Sequence, residues 1–570
     1  MAKRLLTGAQ ILCESLIAND VDVMFGIPGG AVLPFYDALP SYPQIHHVLM
    51  RHEQAGGFAA DGYARVQKKA GVSLGTSGPG ATNLLTAIVN AQMDSVPVVF
   101  LTGQVASSVM GSDAFQETDI LGMTYAAVKH SYSIFSPDDI AHAMHEAFAI
   151  AQHGRPGPVL VDVTKDAMQA KAWYDPRQKY KLTENHFQKT PKQSVDAMIT
   201  RLANLLDDPE TKPVVVVGHG VTLDDASVAV KTFIERHNIP MVNTLLGTGT
   251  IPLSHPCSLS MLGMHGEAVA NYVVHAANLV IGIGIRFDDR ITGKLDVFKQ
   301  GKHFVHFEID PSEVHKNVSA LLPFYGSIKA NLALVNKRIK NKHQFKEWWA
   351  HITAMKHKYP MRSHEDIPTK WKANKALSAP YVISRISEIT DGKAIVSSDV
   401  GRHQMWIPRF YDFQNSDSLL SSGGLGAMGY GMPAALGAAF AAPDREVWAI
   451  CGDGSFQMNI QELATLKQEG LRLRIAIMND SVLGIVRQWQ QLLYKNNISQ
   501  TMLEPINFAE IAKAYGHGSR VVKRTQEIDE AIAEARAYPG TFLLDFRTDP
   551  DEHVYPMVPP FTPLGEQIIG

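Results

Sequence analysis

Short apolar runs recur along the chain, each ending in a glycine-rich or polar turn that leads into a helical pattern. Positions 21–25 run into Gly26-Ile27-Pro28-Gly29-Gly30, and 47–50 into Arg51-His52-Glu53-Gln54. Positions 72–76 run into Ser77-Gly78-Pro79-Gly80, and 98–102 into Gly103-Gln104. A second series opens with 213–217 before Gly218-His219-Gly220 and continues through 281–285 and 304–310. A third holds 395–398 before Asp399-Val400-Gly401, then 446–451 before Gly452-Asp453-Gly454, then a strand ending at Asn479-Asp480. Repeated strand-turn-helix units predict an α/β chain of parallel sheets with ligands at the strand C-termini. Polar, irregular sequence at 166–190 and a Lys, His and Trp-rich, glycine-poor stretch at 336–373 read as linkers. They divide the chain into domains at 1–180, 190–345 and 370–560. Thr7 and Gln10 have capping-box spacing, so the first helix is expected to start directly at Thr7.

The stretch 452–489 carries the most chemistry. A buried strand that stops at Gly-Asp-Gly and restarts as a helix aims bare amides at a phosphate. Asp453 and Asp480 sit at the ends of two strands one strand-helix-strand unit apart, so both carboxylates can meet at one point. Two carboxylates at ~4 Å repel by about 4 kcal/mol at an effective dielectric near 20. A divalent cation reverses that sign, and hard oxygen ligands suit magnesium. The plainer reading is two polar turns without a ligand; the pair at this spacing favours a metal-bridged diphosphate site. Glu53 follows a buried strand and opens a small-residue helix. It reads either as a poorly hydrated carboxyl able to share a proton with a ring nitrogen or as a carboxylate at a helix N-terminus. The middle series lacks a full Gly-x-Gly-x-x-Gly, so the motif alone is weak support for a dinucleotide.

Composition narrows the classes. The 570 residues suit several globular domains. The formal net charge of −3 gives no field to draw in nucleic acid or membrane, and the short basic run with Trp348 and Trp349 reads as a solvated face. Cys13, Cys257 and Cys451 have no disulfide or metal spacing. With no apolar run near ~18 residues and no signal pattern at the start, the expectation is a cytoplasmic protein.

The stretch from Gly452-Asp453-Gly454 to Gly484-Ile485-Val486-Arg487-Gln488-Trp489-Gln490 resembles the diphosphate motif of thiamine-diphosphate enzymes, in particular the acetohydroxyacid synthase (acetolactate synthase) large subunits. The likeness runs nearly the whole chain, to Val554-Tyr555-Pro556-Met557-Val558. It implies the thiamine-diphosphate-binding fold twice, first for the pyrimidine and last for diphosphate and Mg2+, around a central Rossmann-like FAD domain. It implies metal ligands at Asp453, Asp480 and the Val482 carbonyl. Cofactor contacts fall at Pro79, Gly401, Arg402, His403, Gly426, Met428 (an apolar wedge), Gly454 and Ser455. Glu53 would bond the aminopyrimidine, Gln116 would orient the donor, Lys165 would bring positive charge to the entrance, and Gly30 and Phe115 would sit at the reacting end.

Arg286-Phe287-Asp288-Asp289-Arg290 and Gly263-Met264-His265-Gly266 resemble the flavin signatures of the biosynthetic branch. Carried over, flavin contacts fall at Arg155, Gly218, Gly220, Thr244, Leu245, Met264, His265, Gly284, Arg286, Asp288, Arg290, Glu308 and Ile309. Arg290, Val486 and Trp489 would meet the second substrate. The family usually has Gln at 402, Asn at 480, Asp at 327 and an Arg-Tyr pair at 497–498, where this chain has Arg402, Asp480, Ser327 and Asn497-Ile498. The implied reaction is decarboxylation of pyruvate on thiamine diphosphate and transfer of the hydroxyethyl unit to pyruvate or 2-ketobutyrate, giving 2-acetolactate or 2-aceto-2-hydroxybutyrate. The implied assembly is a homodimer or higher homo-oligomer, with a regulatory small subunit as a candidate partner. Rival readings are a flavin-dependent pyruvate oxidase, another thiamine-diphosphate decarboxylase or carboligase, and a non-catalytic scaffold.

Overall fold

The computed structural model describes residues 3–178, 180, 192–361 and 376–570. Three six-stranded parallel sheets organise them. Their central strands are buried on both faces, as parallel sheets covered by helices require, while edge strands such as His130–Ile134 and Gly518–Val522 are only partly buried.

Across the first sheet the strands run His46–Leu49, Val23–Gly26, Gly71–Gly75, Val98–Gln104, Val159–Thr164 and His130–Ile134. Across the third they run Leu419–Ser421, Ile395–Ser398, Val447–Gly452, Arg474–Asn479, Phe542–Arg547 and Gly518–Val522. Numbered from the start of each sheet, both follow the order 2-1-3-4-6-5, so one topology is used twice. The middle sheet runs Ser258–Met261, Met241–Asn243, Pro213–Val217, Leu279–Ile283, His303–Glu308 and Leu322–Tyr325. Its order, 3-2-1-4-5-6, is that of a Rossmann sheet. The winding reverses between Val23–Gly26 and Gly71–Gly75, between Pro213–Val217 and Leu279–Ile283, and between Ile395–Ser398 and Val447–Gly452; the last strand of the first and third sheets turns back once more. The crevice at such a reversal takes ligands. The glycine-rich turns flank these three points.

The first and third sheets meet through helices Glu53–Gln67 and Gly431–Ala441. Small residues bring the two backbones together. A Cβ on Gly62 would lie 2.1 Å from the Ala434 carbonyl oxygen, and one on Gly437 would lie 1.9 Å from that of Ala59.

Three expectations change. The capping box at Thr7 and Gln10 is present. A strand, Arg4–Thr7, precedes it and pairs antiparallel with Lys171–Tyr174. The opening of the expected 166–190 linker is therefore ordered, because Ala172 and Tyr174 bury one face of that strand; residues 181–190 lie outside the described residues. The expected basic face is also different. Trp348 is buried, with its indole N–H donating to the Pro213 carbonyl at 3.0 Å, and the Trp349 indole donates to Asn238 at 2.6 Å. Helix Lys346–Lys358 is thus tied to the middle domain by its tryptophans.

Candidate functional site

The turn after Val447–Gly452 and the turn after Arg474–Asn479 lie side by side because their strands pair in parallel register. Asp453 and Asp480 meet there. Burial first, and the Asp480 charge second, push the Asp453 carboxyl up to about 7. The Ser481 and Gly454 amides donate to it. Burial also raises Asp480, against the pull of Arg402. Val482 donates its amide to Asp480 Oδ1 at 3.1 Å. Among the described residues no group of three or more His, Cys, Asp and Glu side chains is placed to hold a metal ion. A cation here would take two carboxylates and complete its shell with backbone and ligand oxygens, a donor set that fits magnesium.

Arg402 is buried at the start of helix Arg402–Phe410. Its guanidinium donates to Asp480 Oδ2 at 2.6 Å and to the carbonyls of Pro550 and Glu552 at 2.9 and 2.6 Å. Its Nε would lie 2.1 Å from a Cβ on Gly484. The cation thus stands beside a candidate metal ligand, held by protein groups. His403 lies between Gly401 and Gly452, either of whose Cβ atoms would press on the ring. Burial lowers His403 to about 3, so the ring is neutral, and its Nε2 is buried without a partner. An unpartnered polar atom at a helix start beside Gly-Asp-Gly suits a phosphate oxygen. Gly454 faces Met428, whose Cε lies 3.9 Å from a Cβ built there. Ser455 bonds the Gly452 carbonyl through its hydroxyl.

The first sheet carries the other group at the C-terminal ends of its strands. Gly30 follows Val23–Gly26, Glu53 opens the helix after His46–Leu49, Pro79 opens the helix after Gly71–Gly75, and Lys165 opens the helix after Val159–Thr164. A Cβ on Gly30 would meet nothing within 4 Å, so space lies open beside it. The Glu53 carboxylate is half-buried in the single chain and accepts from Asn83 Nδ2 at 2.9 Å. Gln116 has φ +62° and abuts Gly78, whose Cβ would lie 2.9 Å from it. Phe115 is 89% exposed.

All thirteen positions expected to contact a flavin line one cavity of 640 Å³, from Arg155 and Gly218 through His265 and Gly284 to Glu308 and Ile309. That size is within the range of cofactor sites. Gly218 and Gly220 have no room for a side chain, because Cβ atoms there would lie 2.3 and 2.7 Å from the Gly284 backbone. The His265 imidazole is held neutral by burial and by Arg409 and Arg290, its pKa lowered to about 3, and its Nδ1 is buried without a partner. Burial raises Glu308 to about 7; its carboxylate accepts from the Ile309 and Asp310 amides at 2.8 and 3.1 Å. Asp288 caps a short helix by accepting from the Arg290 amide, and burial raises its pKa. Arg155 ties the first domain to Asp310 and Glu313. Ser327 caps helix Ile328–Arg338 and donates to Asp224 at 2.9 Å, so its hydroxyl serves the fold. This shape, with its orphaned imidazole nitrogen, fits a flavin dinucleotide.

The same cavity reaches Gly401, Gly426 and Trp489 of the third domain, so the middle and third sites are continuous. Glu53, Asp453 and Asp480 stand outside its lining. Val486 is 43% exposed on helix Gly484–Leu493. The segment 499–503 folds back onto the Asp480 turn: Leu483 donates to Thr501, Leu503 donates to Ser481, and Gln490 clasps Ser499 and Thr501. Sequence reasoning gave no role to Asp399. Its buried carboxylate, raised to about 6 by burial, accepts the amides of Val400, Gly429 and Gly431 and so shapes the Met428 turn. Its only signal was its place just after an apolar strand.

Comparison with known proteins bears directly on this arrangement. The family profile described as "Thiamine pyrophosphate enzyme, N-terminal TPP binding domain" matches residues 6–123. The central-domain profile matches 199–335, and the C-terminal TPP binding domain profile matches 399–546. An acetolactate synthase of Mycobacterium bovis is 42% identical over 569 residues, covering 98% of this chain and 90% of the relative. The chain belongs to the acetolactate synthase family. The acetolactate synthase large subunit of Corynebacterium glutamicum is 41% identical, covering 97% of this chain and 88% of its own. The chloroplastic acetolactate synthase of Arabidopsis thaliana is 41% identical, covering 97% and 83%. Each of the three family domains falls on one of the three sheets, the first match stopping short of strands His130–Ile134 and Val159–Thr164, and the C-terminal match runs through the Met428, Asp453 and Asp480 turns.

Proposed function

We propose that this chain is a thiamine-diphosphate-dependent acetolactate synthase that joins pyruvate to a second 2-keto acid, pyruvate or 2-ketobutyrate, in branched-chain amino-acid biosynthesis. The observation that carries the reading is the Asp453–Asp480 pair beside the orphaned His403 nitrogen, within a chain alike to acetolactate synthases along nearly its full length. Thiamine diphosphate, when bound, supplies the nucleophilic carbon on which pyruvate loses carbon dioxide. Asp453, Asp480 and the Val482 carbonyl would hold Mg2+. His403, Gly401, Gly454 and Ser455 would receive the diphosphate, with Met428 and Gly426 against the ring. Glu53 would hydrogen-bond the aminopyrimidine, beside Pro79. Gly30 leaves room at the reacting end, Gln116 and Phe115 orient the donor, and Lys165 offers positive charge to the keto acid. The 640 Å³ cavity would hold FAD. Trp489 and Val486 shape the acceptor side, and the Arg290 fork receives its carboxylate.

The resemblance to the family draws Glu53 and the Asp453 pair of one site from two chains, so the working unit is a homodimer, with a regulatory small subunit as a candidate further partner. Exposed apolar residues flank both groups: Leu33, Phe115 and Tyr125 on the first domain, Val486, Tyr494 and Met502 on the third. Such a rim is what a second copy would cover.

The test is product analysis with pyruvate alone and with 2-ketobutyrate added, in Mg2+, thiamine diphosphate and FAD, without an electron acceptor. Acetolactate, and acetohydroxybutyrate when 2-ketobutyrate is present, are expected. Consumption of pyruvate that requires an acceptor would assign a pyruvate oxidase instead.

A further inference from the structure

One turn of the first domain touches both other domains inside the cavity. Helix Leu85–Asp94 ends there, and Ser95 takes the left-handed conformation at φ +60°. Three successive residues each serve a different neighbour. Met93 offers its carbonyl to Arg286 Nη1 at 3.1 Å. Asp94 offers its carbonyl to His219 Nδ1 at 2.8 Å. Ser95 offers its hydroxyl to Arg155 Nε at 2.9 Å. Arg286 and His219 belong to the middle domain, and Arg155 in turn pairs with Asp310 and Glu313 of that domain.

The Asp94 side chain points the other way, into the third domain. Its two oxygens accept from the Gly423 and Gly424 amides at 3.0 and 2.7 Å. A Cβ on Gly424 would lie 2.9 Å from Asp94 Oδ1, so the loop is seated directly on the carboxylate. Arg65 Nη2 bonds the same carboxylate at 2.8 Å, and Arg65 Nε bonds Asp61 at 2.7 Å. A parallel branch runs from Asp61 through Asn90 to the Ser422 hydroxyl, which accepts from the Ala427 amide at 2.8 Å. Asp61, Asn90 and Ser422 are wholly buried and Asp94 nearly so. Buried charged bonds of this kind hold one geometry, because any slip leaves a charge unpaired.

We propose that Asp94 is the positioning residue of the 423–428 loop, and that through the 93–95 turn it links occupancy of the flavin half of the cavity to binding of diphosphate cofactor by the third domain. This rests on the function proposed above. The loop has no such tie from its own sheet neighbours at Gly423 and Gly424; the first domain supplies it. A ligand that orders Arg286, His219 and Arg155 orders the turn, and the turn orders the loop that carries Gly426 and Met428. Linkage is reciprocal, so each cofactor strengthens the other.

The experiment titrates thiamine diphosphate in saturating Mg2+ into the full-length protein, following tryptophan fluorescence, with FAD first removed and then saturating. The wild type is expected to bind thiamine diphosphate about fivefold or more tightly with FAD present. In Asp94→Asn that ratio is expected to fall to about one. Ser422→Ala, which removes a single hydroxyl from the parallel branch, is expected to lower it partway while leaving the melting temperature of the FAD-loaded protein near that of the wild type. It serves alone should Asp94→Asn not fold. A wild-type ratio near one, or an unchanged ratio in the folded variants, would overturn the proposal and leave the proposed function standing. Failure of the wild type to bind thiamine diphosphate at all would overturn that function, and this proposal with it.

Discussion

Arg402 and Asp480 are a buried pair of opposite charges at two positions where the family usually has neutral amides. Removing one partner of a buried pair leaves an uncompensated charge, at about 3–5 kcal/mol. Arg402→Gln and Asp480→Asn are each expected to destabilise the cofactor-free protein by roughly that amount, and the double variant by at least ~2 kcal/mol less than their sum. Urea unfolding of the four proteins measures this; additive losses would show that the 2.6 Å contact has no energetic role. At Glu53 the expected effect is chemical. Glu53→Gln keeps the hydrogen bond from Asn83 but has no acidic proton, so acetolactate formation should fall at least ~100-fold with unchanged circular dichroism. Near-normal turnover would remove Glu53 from its role. The acid pair at 453 and 480 was legible as sequence, because spacing along one strand-helix-strand unit sets where both carboxylates fall. The grip of Arg402 on that pair was not, since a long side chain's direction depends on what fills the space beside it, here the absent side chain of Gly484.

At the scale of elements, the contact between helices Glu53–Gln67 and Gly431–Ala441 joins the first and third sheets through backbone-to-backbone approach. Gly62→Val places carbon atoms against the Ala434 carbonyl and is expected to cost ~3 kcal/mol or more, read as a lowered melting temperature. Glu462 secures the neighbouring turn by accepting the Arg51 amide at 3.1 Å. Burial raises its carboxyl from 4.5 to about 7. A raised carboxyl stabilises the fold fully below its ordinary value, and that contribution is lost as pH rises from about 4.5 to about 7. Glu462→Gln removes this slope. The stability of the cofactor-free wild type relative to the variant should therefore fall by on the order of 3 kcal/mol across that window. Chemical denaturation at several pH values measures it; parallel profiles would mean that Glu462 does not titrate there. The strands that were read from the sequence were legible to within two residues, because apolar runs ending in glycine turns have few other uses; edge strands such as His130–Ile134 and Gly518–Val522, which are only partly buried, were not read. The strand Arg4–Thr7 was missed, since its partner Lys171–Tyr174 lies far along the chain and neither is apolar throughout.

For the whole molecule, the proposed homodimer makes assembly part of the chemistry, with Glu53 and the Asp453 pair of one site drawn from two chains. Glu53→Gln and Asp453→Asn are each expected to be inactive alone. Dissociated, mixed and reassociated, half of the dimers pair one of each, and each such dimer holds one intact site, so about a quarter of wild-type activity should return. No recovery in reassociated mixtures would place both groups in one chain's site. The 640 Å³ cavity spans the middle and third domains, where Trp489 and Gly401 share its lining with Arg286 and His265, and the buried Arg409–Glu267 pair ties the same two domains.

The order of apolar runs and glycine turns determined by itself that this chain makes three parallel α/β units, and the acid pair and family motifs determined which chemistry it offers. Both are local signals, set by burial and by backbone turns a few residues long. Tertiary structure alone decided that the Met93–Ser95 turn ties three domains together and that Arg402 faces Asp480. Those outcomes depend on which buried charge finds which partner across hundreds of residues. That choice is made by desolvation and fit in the assembled interior.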